Sequence, residues 1–218
     1  VYKRQALASV ELLMARPVRA RTLAEESLRT EGHDGAMRLL AGCAVETEAL
    51  MRRQSDGHWS DKALQNAEHR FVRALDDDPA LLEERLRLGW ALVRRGWAEK
   101  GLPYLETVAE TPGDDSRRAL AWLFLGRTHE RRKDTPAAVE AYRRVIEIAP
   151  HLQAAHIGLA HALEKGAGDE AARAVLVPYF LERSRSWVRG DPWNDYPFGP
   201  PEMRTHPFQN LLERLCRR

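Results

Sequence analysis

Between Ala119 and Pro150 the run ALAWLFLGRTHERRKDTPAAVEAYRRVIEIAP carries two amphipathic helix patterns joined by a short polar turn. Gly126 in the first and Ala138 in the second lack bulk, so the two helices can cross closely there. Trp122, Leu125 and Tyr142 are spaced to fill the room around that crossing. Thr135 offers a hydroxyl to cap the second helix. Pro136 follows at a first helical position, where its missing N–H loses no partner. Pro150 cannot continue a helix and turns the residue before it away from helical geometry. Small residues at a helix crossing, with bulky ones around them, dictate an antiparallel helical hairpin.

The same arrangement returns along the chain. Ala6–Ala15 and Val18–Thr30 form a first hairpin, with Pro17 opening its second helix. A second hairpin runs from Gly35 to Leu81 on Ala41, Gly42, Ala67, Phe71, Ala74 and Pro79. A third starts at Leu82 on Leu88, Gly89, Leu92, Gly101, Leu105 and Val108. A fifth starts at Gln153 on Leu159, Ala160, Leu163, Ala172 and Tyr179. No alternating strand pattern competes with the helical one.

Taken as a unit of about 34 residues, the Ala119–Pro150 hairpin resembles the tetratricopeptide repeat (TPR). Trp122, Leu125, Gly126, Ala138, Tyr142 and Pro150 stand where that pattern wants an aromatic, Leu, Gly, Ala, an aromatic and Pro. His129 and Val145 depart from it, at an aromatic and an Ala position. The resemblance implies an all-α, right-handed TPR-type superhelical solenoid of about five helical hairpins over residues 6–186, degenerate at both ends. Residues 187–218 form a separate extension. Arg189–Pro201 is irregular and rich in Pro and aromatics, with Trp193, Tyr196 and Phe198, and a short helix follows over Pro207–Cys216. Phe208, Leu211, Leu212 and Leu215 make one apolar stripe on that helix, which caps the last hairpin or, alternatively, docks another chain or serves self-association.

Three places depart from a regular repeat. An insertion around RRQSDGHWSDK either prolongs the first helix of the second hairpin to about Arg53 or protrudes as a loop over Gln54–Ser60, with Ser60 capping the next helix. His58 and Trp59 lie in it. Thr111–Asp115 makes a turn before the fourth hairpin. Pro178 falls inside the last helix pattern and is expected to kink or restart it.

Composition narrows the function classes. With 44% hydrophobic and 30% charged residues and a net charge of +2, the chain suits a globular protein with no polyelectrolyte partner. Basic residues are scattered, so no nucleic-acid stripe forms. No apolar run reaches the length of about 18 residues that a membrane span needs. Arginine far outnumbers lysine, as in a GC-rich, bacterial coding background. Cys43 and Cys216, far apart and without a partner motif, read as two free thiols. Val1–Gln5 (VYKRQ) matches the translation of a transposase adapter used in DNA library preparation and is set aside as a scar. The native start is expected upstream, which leaves the compartment open. It also leaves room for the chain to be the TPR arm of a larger enzyme or secreted assembly.

No catalytic, cofactor or metal constellation emerges. His156 and His161 are not spaced for one helix face, and Glu164 alone does not complete a site. His129 replaces a core aromatic. Asp76–Asp78 precedes a helix start and suits capping. The expectation is therefore a non-catalytic scaffold that needs no cofactor and binds a protein or peptide.

The resemblance implies where. In TPR proteins the first helix of each hairpin lines a concave groove. The matching positions are Glu83, Leu86, Trp90, Val93 and Arg94 in the third hairpin. They are Leu120, Leu123, Arg127, Glu130 and Arg131 in the fourth, and Ala154, Ile157, His161, Glu164 and Lys165 in the fifth. Arg87 sits beside them. The expected partner-binding groove is thus Arg87, Trp90, Arg94, Arg127, Glu130, Arg131, His161 and Lys165, with Trp90 as aromatic anchor and the arginines for an acidic peptide or helix. Chaperone-binding members clamp a terminal carboxylate with Asn at positions held here by Leu86, Trp90, Leu123 and Arg127, so that activity is not implied.

Overall fold

The computed structural model describes residues 2–31, 35–56 and 61–183. These residues form ten α-helices and no strand: α1 Tyr2–Leu13, α2 Pro17–Glu31, α3 Gly35–Asp56, α4 Asp61–Asp77, α5 Leu82–Arg94, α6 Ala98–Glu110, α7 Asp115–Arg131, α8 Thr135–Ile148, α9 Gln153–Ala167 and α10 Asp169–Arg183. They pair in chain order as antiparallel hairpins, and the all-α expectation holds. The chain divides into two compact units, Val1–Tyr104 and Leu105–Arg218.

In the first unit α1 and α2 pair, and α3 packs on both. Ala24 of α2 meets Met37 and Ala41 of α3, and all three are buried. α3 pairs with α4, and α4 packs on α5. The core there gathers Val45, Ala67, Phe71, Leu88 and Leu92. Gly42 lies flat against the Phe71 ring: a Cβ on it would come 2.5 Å from Cε1. At the α5–α6 crossing a Cβ on Gly101 would come 2.5 Å from the Gly89 carbonyl oxygen, so no larger residue fits.

In the second unit α7 pairs with α8, α8 packs on α9, and α9 pairs with α10. Asp114 caps α7 by accepting from the Arg117 N–H at 2.9 Å. The cap of α8 is Asp134, which accepts from the Ala137 N–H, and not the expected Thr135, which is the first helical residue. A carboxylate at the N-cap answers the helix dipole better than a hydroxyl does.

Other expectations shift in detail. α3 reaches Asp56, so the insertion prolongs the helix, while Ser60, His58 and Trp59 lie outside the described residues. α7 begins at Asp115, one turn ahead of the repeat pattern. α10 runs through Pro178, where no restart occurs. The carbonyl that loses its helical donor belongs to Ala174, an exposed residue that water can serve. Asp78 accepts from the Ala80 N–H at 2.9 Å in the turn before α5. The whole extension over 187–218, including Cys216 and the stripe from Phe208 to Leu215, lies outside the described residues.

Candidate functional site

The first helices carry the polar residues that the resemblance singled out, and two buried carboxylates organise them. In the first unit Glu46 of α3 is 2% exposed at its side chain. Arg94 of α5 donates to its Oε1 at 2.7 Å, and Arg87 of α5 donates to its Oε2 at 3.0 Å. Arg87 also donates from Nε to Glu83 at 2.8 Å. A carboxylate of one hairpin is thus held by two guanidinium groups of the next, and the charge-assisted bonds offset the desolvation of all three.

This placement corrects the expected groove. Arg94 is turned inward onto Glu46, with its side chain as buried as its partner's. Trp90 is 2% exposed and so forms core, not an anchor for a partner. Burying an indole on the protein's own interior removes a large apolar area from water. Leu86, Leu120, Leu123 and Ala154, which the resemblance placed on the groove, are buried as well.

In the second unit Glu130 of α7 plays the part of Glu46. Tyr142 of α8 donates its hydroxyl to Oε2 at 2.6 Å, and Arg127 donates to the same oxygen at 3.0 Å. His161 of α9 meets Oε1 at 2.7 Å through Nδ1. A carboxylate only accepts, so Nδ1 carries the hydrogen. Although burial pushes the Glu130 acid up, the bonds from His161 and Tyr142 and the Arg127 charge outweigh it and hold the carboxyl below its usual range. Burial and the same carboxylate push the Tyr142 phenol up. Glu46 and Glu130 occupy the same place in their hairpins, in each case bonded to a cationic or imidazole side chain of the following first helix.

The Tyr142 ring closes this joint sterically. A Cβ on Gly126 of α7 would lie 2.7 Å from its Cε1, and one on Gly158 of α9 would lie 2.5 Å away. The ring therefore passes between two helices that have no side chain at the contact. His129 is half-buried, with Nδ1 at 3.8 Å from Asp134, and burial lowers its pKa. His156 stacks on Tyr179 with ring centroids 4.0 Å apart and bonds the Pro150 carbonyl through Nε2.

What faces outward is narrower than expected. Arg131 and Lys165 are exposed at the same place in α7 and α9, and Ile157 and His161 are half-buried beside them. The buried Nε of Arg127 has no acceptor among the described residues. Elsewhere, in the first unit, a cleft of about 880 Å³ is lined by Leu28, Arg38, Arg70 and Arg73 among others. Arg38 there pairs with Asp77, and Arg70 with Glu25. Among the described residues no group of three or more metal-ligating side chains gathers. None of their helices is long and apolar enough to cross a membrane.

Sequence reading missed Glu46 and the hydroxyl of Tyr142. The signal for Glu46 was present, since it holds in the second hairpin the place that Glu130 holds in the fourth.

Solved structures resemble the chain over most of its length. MamA from Desulfovibrio magneticus RS-1, from residue 41 to its end, is 21% identical with a TM-score of 0.65, over 85% of this chain and 97% of that one. PilF from Pseudomonas aeruginosa is 14% identical with a TM-score of 0.70, over 82% and 74%. A chain of the APC/C Cut9–Hcn1 hetero-tetramer is 12% identical with a TM-score of 0.62, over 85% and 33%. All three are TPR-repeat proteins, and identities this low speak to fold alone. No family model matches the chain, and no curated protein matches its sequence.

Proposed function

We propose that this chain, a protein of the TPR type, is a protein-interaction scaffold without chemistry of its own. Its ligand is an acidic peptide or helix laid along the first helices α7 and α9. The observation that carries the reading is the recurrence of an exposed cation, Arg131 and then Lys165, at one place on consecutive first helices. Ile157 gives the same surface an apolar contact. Arg94 has no part in this, because reversing its charge would break the Glu46 pair before it touched a partner.

Display of a random peptide library on the full chain tests the proposal. Selection should enrich peptides rich in Asp and Glu, and the Arg131→Glu/Lys165→Glu variant should lose them while its helical circular dichroism stays intact. Absence of enrichment, or equal enrichment on the variant, would overturn it.

A further inference from the structure

Glu130 fixes one nitrogen of His161 and leaves the other open. The Nδ1–H donates to Oε1 at 2.7 Å, and the carboxylate side chain is 7% exposed against 30% for the imidazole. Nε2 bonds to nothing among the described residues and is not buried, so it faces water. A carboxylate that holds one imidazole nitrogen sets the orientation of the ring and the direction in which the other nitrogen points. Ile157, His161 and Lys165 recur every fourth residue on α9, about 6 Å per step. The open nitrogen therefore lies in one row with the apolar and the cationic contact of the proposed groove.

The charges around the ring decide what it can take. Glu130, Arg127 and, next in the chain, Arg131 come from α7, and the Tyr142 hydroxyl comes from α8. α9 itself carries Glu164 and Lys165, and α10 meets it through Ala172 and Leu176, with Arg173 half-buried beside them. The carboxylate bonded to the ring, Glu130, is already shared with Arg127 at 3.0 Å and Tyr142 at 2.6 Å. Glu164, one turn on along α9, makes no bond to the imidazole. An imidazolium here has no countercharge of its own, and a ligand carboxylate at Nε2 supplies one. We infer that His161 is a further recognition residue of this surface, whose Nε2–H donates to a ligand carboxylate while Glu130 holds Nδ1–H, so that binding of an acidic ligand consumes a proton. Nε2 takes that proton from solvent as the carboxylate arrives. The inference rests on the reading that an acidic peptide or helix lies along α7 and α9. Because the bound state favours the imidazolium more than the free chain does, affinity rises as pH falls through the range in which an imidazole gains its charge.

Calorimetric titration of a synthetic peptide of alternating Asp and Leu into the full chain tests it, at about pH 7.5 and about pH 5.5, where the Asp carboxylates stay ionised. The parent should bind about threefold tighter or more at the lower pH, and its binding heat should vary with the ionisation enthalpy of the buffer, which reports proton uptake. His161→Gln keeps an N–H for Glu130 and cannot titrate, so its affinity should be the same at both pH values and its heat independent of the buffer. Circular dichroism at each pH should show both proteins folded. A parent whose affinity ignores pH, or a His161→Gln variant that responds to pH as the parent does, would overturn the inference while leaving the groove in place. Absence of any binding, or binding that Arg131→Glu/Lys165→Glu leaves unchanged, would overturn the groove and this inference with it.

Discussion

Tyr142 donates its hydroxyl to Glu130 at 2.6 Å while its ring fills the gap between Gly126 and Gly158. One side chain thus joins three helices in two ways, by shape and by a charge-assisted bond. The two contributions are separable. Tyr142→Phe keeps the ring and deletes the donor, and should lower stability to urea by about 1.5–3 kcal/mol. Gly158→Ala keeps the donor and forces the ring aside, at about 1–3 kcal/mol. If either substitution leaves the urea midpoint unchanged, the joint is not built this way.

Acid should weaken the same joint. The folded Glu130 carboxyl titrates below its unfolded value, so its stabilisation is present above the unfolded carboxylic range near about 4.3 and is lost as pH falls through the folded pKa. Burial lowers His129, so the unfolded chain takes up that proton first, and stability also falls as pH drops below about 6.5. The two windows differ. Glu130→Gln should flatten the pH dependence of the melting temperature in the more acidic window, and His129→Asn in the milder one. A Glu130→Gln profile parallel to the parent's would contradict the shift.

The turn between α7 and α8 holds Lys133 at φ 62°, in the left-handed region that β-carbon sterics disfavour. At the matching turn after α5 the residue is Gly96, at φ 87°. Lys133→Gly should relieve the strain and raise stability by about 1 kcal/mol, roughly 2–4 °C in melting temperature for a chain of this size. A lowered melting temperature would show that the Lys133 side chain matters more than its backbone.

Cys43 is buried, and desolvation pushes its thiol up to about 12. In a Cys216→Ser variant, Cys43 should not react with a disulfide reagent at neutral pH until the chain unfolds, and the reaction rate should then track the denaturant. Prompt reaction of the folded variant would refute its burial.

Much of this was legible in the chain, for a physical reason. Gly126, Ala138 and Tyr142 are constrained by a helix crossing that tolerates few sizes, and with the TPR-like register that such residues set, the hairpins and the start of α9 at Gln153 could be placed. Side-chain direction was less legible. Trp90 and Arg94 occupy places that repeat position assigns to the groove, yet both turn inward: Trp90 buries its apolar ring, and Arg94 meets the buried countercharge of Glu46. The cap of α8 was misread by one residue, since Asp134 and Thr135 both carry an acceptor of the right kind. Pro178 does not end α10, since an exposed turn tolerates the lost hydrogen bond.

The most direct measurement is calorimetric titration of a display-selected acidic peptide into the parent chain and into the Arg131→Glu/Lys165→Glu variant, each at low and at high salt. The account predicts binding by the parent that weakens with salt, and a loss of about tenfold or more in the variant with no change in its melting temperature. Equal affinities for the two proteins, or binding indifferent to salt, would contradict it.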